Sequence, residues 1–242
     1  MTHRFHVDAL GDADRVRLPA GVARHLHVLG LEPGGEVVLF DGTGREVRAQ
    51  LETLTREGAD AVVLERREVS REGGVALTLA CAVPKGRRMD TLVRSCAELG
   101  VSRIVPLVTR RSVVKPDTAS RHKLQRWQKI CASASEQAGR NLVAAVAPPV
   151  KLADFLDTAG AFDLAVVLSP DDDAPRLNSV LDDADGPQSV LLLVGPEGGF
   201  TDEEVAHATR FGAVACRLTR SILRVETACV AAVALAALLC SE

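Results

Sequence analysis

The chain has 242 residues, no tyrosine and a single tryptophan, and aromatic residues make up 3% of it. The missing tyrosine removes one common general acid and base from any active site this chain builds. There are six cysteines but no CxxC pair. Cys81, Cys96, Cys131, Cys216, Cys229 and Cys240 are scattered, mostly inside apolar runs, and are expected to be reduced core thiols of a cytoplasmic protein. No cluster of His, Cys and carboxylates has ligand spacing, so no metal is expected. The first residues, MTHRFHVDALGDADR, lack the apolar segment of a signal peptide. The most apolar stretch, Thr227 to Cys240, is too short to span a bilayer, so a buried helix and no membrane partner are expected. Repeats and low-complexity segments are absent. So are the dinucleotide fingerprint GxGxxG and the P-loop lysine.

What is present has the composition of a soluble globular protein: 47% hydrophobic and 25% charged residues, enough for one large domain or two modest ones. The net charge of −3 hides an asymmetry. Residues 1–73 hold 10 Lys/Arg against 13 Asp/Glu, residues 74–150 hold 13 against 4, and residues 151–242 hold 6 against 15. A segment this basic in an acidic chain suggests a polyanion-binding surface; the plainer reading is a solvated face balanced by the acidic last third. Three clusters favour the first reading: Lys85, Arg87 and Arg88; Arg110, Arg111 and Lys115; Arg121, Lys123, Arg126 and Lys129. On a helix, residues 122, 126 and 129 share a face, and Trp127 is either core or an edge of the same surface.

The chain divides by rhythm. Residues 1–72 read as a small β-barrel, with a Gly-rich hairpin turn at Asp41–Gly44 and one short helix at Gly21–Leu29. Ser70 to Gly74 reads as a linker. Residues 73–242 alternate strands and helices, which predicts a mostly parallel sheet covered on both faces. Strands are expected at 75–83, 104–108, 161–168, 190–194 and 213–218, and helices at 88–99, 118–138, 201–211 and 226–239. Asp171 to Asp173 and the aspartates of 182–185 read as loop acids.

Open α/β sheets bind ligands at the carboxyl ends of their strands, and two loops fall there. In LVGPEGGFTDEE, Leu193 to Glu204, a strand runs into a glycine loop and then a helix with a capping box from Thr201 and Glu204. The glycines serve either a tight turn or the close approach of a ligand to main chain. In Leu218 to Ala228, Arg224 and Glu226 flank a helix start, as surface capping groups or as a pocket rim ready for chemistry.

The segments LLVGPEGGFTDEEV (192–205), LTRSILRVETA (218–228), VPKGRRMDTLVRSCAELGVSRIVPLVTRRSVVK (83–115) and RWQKICASASEQAGRN (126–141) resemble the RsmE family of 16S ribosomal RNA uridine N3-methyltransferases, of the SPOUT superfamily. ARHLHVLGLEPGG and LFDGTGREV are similar to that family's RNA-binding barrel, so the resemblance covers essentially the whole chain. It implies an α/β protein with an N-terminal PUA-like β-barrel and a C-terminal SPOUT domain carrying a deep trefoil knot. It implies a homodimer through the knotted domain and the Ala-rich last helix, with 16S rRNA in the 30S subunit as partner. The cofactor implied is S-adenosyl-L-methionine (SAM), held by Leu168, Ser169 and Pro170, by Val194, Gly195, Pro196, Glu197, Gly198 and Gly199, and by Leu218, Thr219, Ser221, Ile222, Leu223, Thr227 and Ala228. Its glycines would clear space for the donor.

Candidate catalytic residues are Arg224, to stabilise charge on a uracil oxygen, and Glu226 or Glu197, to accept the N3 proton or position the base, with water as another acceptor. Phosphate contacts are expected from Arg24, His27, Lys85, Arg87, Arg88, Arg94, Arg110, Arg111, Lys115, Arg121, Lys123, Arg126 and Arg140. The sequence departs from the family pattern LG-x-R-(I/V)-LR-x-ET at Thr219 and Ser221, where Arg220 stands in for the arginine one position early. It departs again at Gly30, where Arg24, His25 and His27 are the nearby substitutes. An RNA-binding module without catalysis is the competing function. An unrelated enzyme of nucleotide phosphates is disfavoured by the missing lysine.

Overall fold

The computed structural model describes residues 3–69, 73–114, 121–158 and 161–240. Lys115, most of the expected linker and the expected start of the helix at 118–120 lie outside the described residues. The chain forms two compact units. The first comprises residues 1–72 with 135–143, and the second comprises residues 73–134 with 144–242.

The first unit is a curled, mixed five-stranded sheet: β1 (His3–His6), β2 (Arg15–Pro19), β3 (Glu36–Phe40), β4 (Arg45–Leu54) and β5 (Gly58–Glu68), in the order β1-β3-β4-β5-β2. β1 lies parallel to β3, and the remaining pairs are antiparallel. Alternation along β4 buries Val47, Ala49 and Leu51 while Arg48 and Gln50 face out, as a one-sided sheet requires. These residues meet Phe5, Leu18, Val37 and Leu39, and helix α1 (Ala20–Val28) closes the core with Ala23 and Leu26. At the β3–β4 turn, Asp41 accepts hydrogen bonds from the Thr43 N–H (3.1 Å) and hydroxyl (2.6 Å) and pairs with Arg45. Burial alone would raise the Asp41 pKa, but these bonds outweigh it and hold the carboxyl below its usual range. Gly42 and Gly44 take the left-handed backbone the turn needs.

The second unit is a seven-stranded, all-parallel sheet in the order β12-β10-β11-β6-β7-β8, with the short β9 (Val150–Lys151) also pairing with β7. Its strands are β6 (Ala76–Ala82), β7 (Arg103–Val108), β8 (Ala145–Val146), β10 (Leu164–Leu168), β11 (Ser189–Val194) and β12 (Val214–Cys216). Every residue of β11 from Val190 onward is buried, the mark of a strand covered on both faces. Leu191 and Leu193 pack with Phe155 of α4 (Leu152–Thr158) and Ala208 of α6 (Asp202–Phe211). The opposite face carries α2 (Arg88–Glu98), α5 (Leu177–Asp182) and α7 (Val225–Leu239). Helix α3 (Arg121–Ala138) buries Trp127 and Cys131 on its inner side, which makes the only tryptophan a core residue. Among the described residues, no helix is long and apolar enough to cross a membrane.

Chain order and sheet order disagree at β10. The next strand, β11, lies on one side of it and β12 on the other. Such a reversal leaves a crevice at the carboxyl ends of the strands involved. The loops after Leu168, Val194 and Cys216 therefore open at one edge.

Candidate active site

These three loops and the start of α7 enclose a cavity of about 250 Å³. Its walls are Leu168, Ser169 and Pro170 after β10; Val194 to Gly199 after β11; Leu218, Thr219, Ser221, Ile222 and Leu223 after β12; and Val225 and Ala228 of α7. Of the expected cofactor residues only Thr227 is not on the wall, and Val225, which was not expected, is. Helical period explains both. Residues 225 and 228 share a face, whereas Thr227 is turned to the exposed side. Among the described residues the lining contains one charged side chain, the Glu197 carboxylate, and no lysine or arginine. Apolar walls, bare main chain and one carboxylate suit a ligand that is part apolar and part cationic. They do not suit a phosphate.

The glycine loop is shaped first by itself. A β-carbon on Gly195 would lie 3.0 Å from the Phe200 nitrogen and 3.2 Å from the Gly199 carbonyl carbon, so a side chain there collides with the loop's own backbone. Gly199 has φ +69°, a conformation that L side chains rarely adopt. Its N–H donates to the Pro196 carbonyl at 2.7 Å and closes the turn. Thus two of the three glycines are required by the turn before any ligand is considered. Phe200 faces the core beside Leu193 and does not line the cavity.

The capping box forms as the sequence predicts. The Thr201 hydroxyl accepts from Glu204 N–H at 3.2 Å, and Glu204 Oε2 accepts from Thr201 N–H at 2.8 Å. Glu204 Oε1 also accepts from the Arg110 N–H at 2.8 Å, and the Arg110 guanidinium pairs with Glu203 at 2.8 Å. Arg111 donates to the carbonyls of Gly198 (2.8 Å) and Phe200 (3.2 Å). These two arginines, expected on the strength of charge to meet phosphate, are engaged with the glycine loop and α6.

At the rim, Arg224 is the N-cap residue of α7, exposed, with no side-chain partner among the described residues. Glu226 sits in the first turn of that helix, where the helix dipole favours a negative charge. Its Oε2 is buried with no hydrogen-bond partner among the described residues, and its Oε1 is 3.7 Å from Arg88 Nε. Arg88 Nη1 is in turn 4.0 Å from Glu197 Oε1. The cation therefore stands between the two candidate carboxylates. At these distances and exposures the pairing contributes at most about 1 kcal/mol, so its effect is on placement. Arg88 was expected on charge alone as a phosphate contact, and nothing in local sequence pattern marks this bridging position.

Five of the six cysteines are buried and none is paired. Burial pushes the Cys131 and Cys216 thiols up to about 12, and raises Cys96 and Cys229 as well. Among the described residues no group of His, Cys and carboxylates could hold a metal ion.

The remaining basic residues divide between the units. Arg24 and His27 are exposed on α1, and Arg140 is partly buried after α3, where burial lowers its pKa. In the second unit, Lys85, Arg87, Arg121 and Lys123 are exposed. Arg94, His122, Arg126 and Lys129 line a groove of about 390 Å³ along α2 and α3, with Gln125 and Ser133. Asp90 is paired with Arg126 there. The shared helical face predicted for 122, 126 and 129 is thus a wall of this groove.

A family model described as an RNA methyltransferase domain matches residues 71–237. The ribosomal RNA small subunit methyltransferase E of Mycobacterium bovis is 34% identical over 96% of this chain and 89% of its own length. The chain belongs to this methyltransferase family. Its Synechocystis relative of the same name is 37% identical over 83% of this chain, and the match spans 65% of that relative's length. A crystal structure of the Neisseria gonorrhoeae family member, bound to S-adenosyl methionine, superposes with a TM-score of 0.86 at 34% identity, covering 97% of this chain and 96% of that one.

Proposed function

We propose that this chain transfers the methyl group of SAM to N3 of a uridine in the RNA of the small ribosomal subunit. The observation that carries the reading is the cavity at the β10–β11–β12 edge. Among the described residues its lining has one carboxylate and no cation, in a family whose gonococcal member binds SAM. The bound donor supplies an electrophilic methyl on a sulfonium, so the protein need supply no metal.

The chain's own residues do the rest. Leu168, Val194, Leu218 and Leu223 hold the apolar part of the donor, and the main chain of 195–199 meets its polar edges. Arg224, exposed and without a side-chain partner among the described residues, faces charge that develops on a uracil oxygen as N3 loses its proton. Glu226, whose buried Oε2 has no hydrogen-bond partner among the described residues, is the stronger candidate to take or orient that proton; Glu197, on the cavity wall, and water are the others. The uracil must leave its stack to reach them.

The groove of Arg94, Arg126 and Lys129 holds backbone phosphates, with Lys85, Arg87, Arg121 and Lys123 around it. This sets affinity more than choice of base. The curled sheet with Arg24, His27 and Arg140 is a PUA-like RNA-binding domain, and the parallel unit is a knotted SPOUT domain. A second copy covers α7, whose Leu238 is 71% exposed and which is rich in small residues. Lys115 keeps its expected phosphate role.

The test has two arms. SAM at saturating concentration is expected to raise the melting temperature. Protein, SAM and 30S subunits lacking the modification are then expected to yield N3-methyluridine in the digested RNA. No stabilisation by SAM would overturn the donor assignment. Stabilisation and RNA binding without product would leave an RNA-binding module that has lost catalysis.

A further inference from the structure

Arg111 stands in the tight turn that follows β7. Thr109 and Ser112 close this turn: the Ser112 N–H donates to the Thr109 carbonyl at 3.2 Å and the Thr109 N–H to the Ser112 hydroxyl at 3.0 Å. From this base the Arg111 stem runs beneath Gly198, where an added β-carbon would be 3.4 Å from Arg111 Cδ. Its Nη1 then donates to both the Gly198 and Phe200 carbonyls. These two carbonyls bracket Gly199, the residue with left-handed backbone. Arg111 does not line the cavity; it grips the glycine loop from outside the cavity wall. One nitrogen shared between two carbonyls fixes the relative orientation of the 198–199 and 200–201 peptide planes, on either side of the Gly199–Phe200 peptide, which a single bond would leave free to rotate.

We propose that Arg111 is a positioning residue for the methyl donor: by holding the Gly198 and Phe200 carbonyls it keeps the 195–199 wall in its binding shape. The inference rests on the reading that this cavity takes SAM. It reassigns to donor binding a charge that the basic segment suggested was for RNA.

Arg111→Met keeps the stem and removes every donor; Arg111→Lys restores a single charged nitrogen with three N–H groups on a shorter reach, without the planar fork. For the Met variant the Kd of SAM is expected to rise about tenfold, and for the Lys variant about threefold. The KM for SAM should follow, while kcat at saturating SAM stays within about twofold of wild type. RNA affinity should keep its wild-type salt slope, because no phosphate contact is lost. An unchanged Kd for SAM in a folded Met variant overturns the proposal. So does a salt slope reduced by about one together with unchanged SAM binding, which would make Arg111 a phosphate contact. If the Met variant fails to fold, a Lys variant that binds SAM like wild type overturns it equally. Wild-type protein that does not bind SAM removes the functional reading itself, whereas wild-type binding with unaffected variants removes only the brace.

Discussion

The two long walls of the cavity are held in different ways. The wall after β11, residues 195–199, is tied at three places: by its own turn bond, by Arg111 on two carbonyls and by the capping box that starts α6. The wall after β12, residues 218–223, is nearly untied. Its side-chain bonds are local, between Thr219 Oγ1 and the Ser221 main chain at 2.8 and 3.1 Å, and Ile222 at its crest is 89% exposed. One wall is formed before any ligand arrives, and the other keeps apolar surface in water for a ligand to cover. Damage to residues 195–199 themselves should therefore lower stability and donor affinity together, whereas loss of the α6 cap, which leaves Arg111 on the loop, should lower mainly stability. Damage to the untied wall should lower affinity alone.

The largest expected effect breaks the tied wall at its first residue. In Gly195→Val even the first added carbon lies at 3.0 Å from the Phe200 nitrogen, and that neighbour is backbone, which cannot swing aside. Overpacking of this kind costs about 1–3 kcal/mol. The variant should melt several degrees lower and bind SAM at least about tenfold more weakly, as read by differential scanning and titration calorimetry. Loss of only one of the two properties would break the comparison.

A smaller effect is expected one tie further on. Thr201→Ala removes the hydroxyl that caps α6 but leaves Glu204 on the Thr201 and Arg110 N–H groups. A lost cap costs about 1 kcal/mol, or about 3 °C in a chain of this size. Because Arg111 still holds the loop, SAM affinity should fall less than threefold. A tenfold loss would mean that the cap, not the arginine, sets the wall.

The contrast between the walls also marks what could be read from the sequence. Strand, glycine loop and capped helix were legible in LVGPEGGFTDEE because each piece is local: a buried run, a turn chemistry and a four-residue capping pattern. The parallel sheet was legible from alternation for the same reason. The two-residue strands β8 and β9 were not, since they exist only through their ladders with β7. The short helices α4 and α5 offered too few turns for a period to show. Residues 135–143 group with the first unit although the sequence divides near residue 72, because that grouping is made by long-range bonds such as His6 N–H to Glu136 and Asn141 to the Val69 carbonyl. Arg88 and Arg111 were legible as charges but not as a bridge and a brace. Charge counting cannot tell a guanidinium in solvent from one aimed at a carbonyl, and only the fold brings residue 111 to residue 198.

The smallest effect separates the walls most cleanly. Ile222 is so exposed that Ile222→Ser should move the unfolding midpoint by less than about 0.5 kcal/mol. The same side chain lines the cavity, so a ligand seated there covers part of it. Covering a fraction of an isoleucine is worth about 1 kcal/mol, which predicts a several-fold weaker SAM complex in a protein of unchanged stability. Thr201→Ala should show the opposite pattern, with stability reduced and affinity nearly kept. If Ile222→Ser instead lowers the midpoint like a core substitution, the crest is already packed without ligand, and the wall taken here as untied is as preformed as its partner.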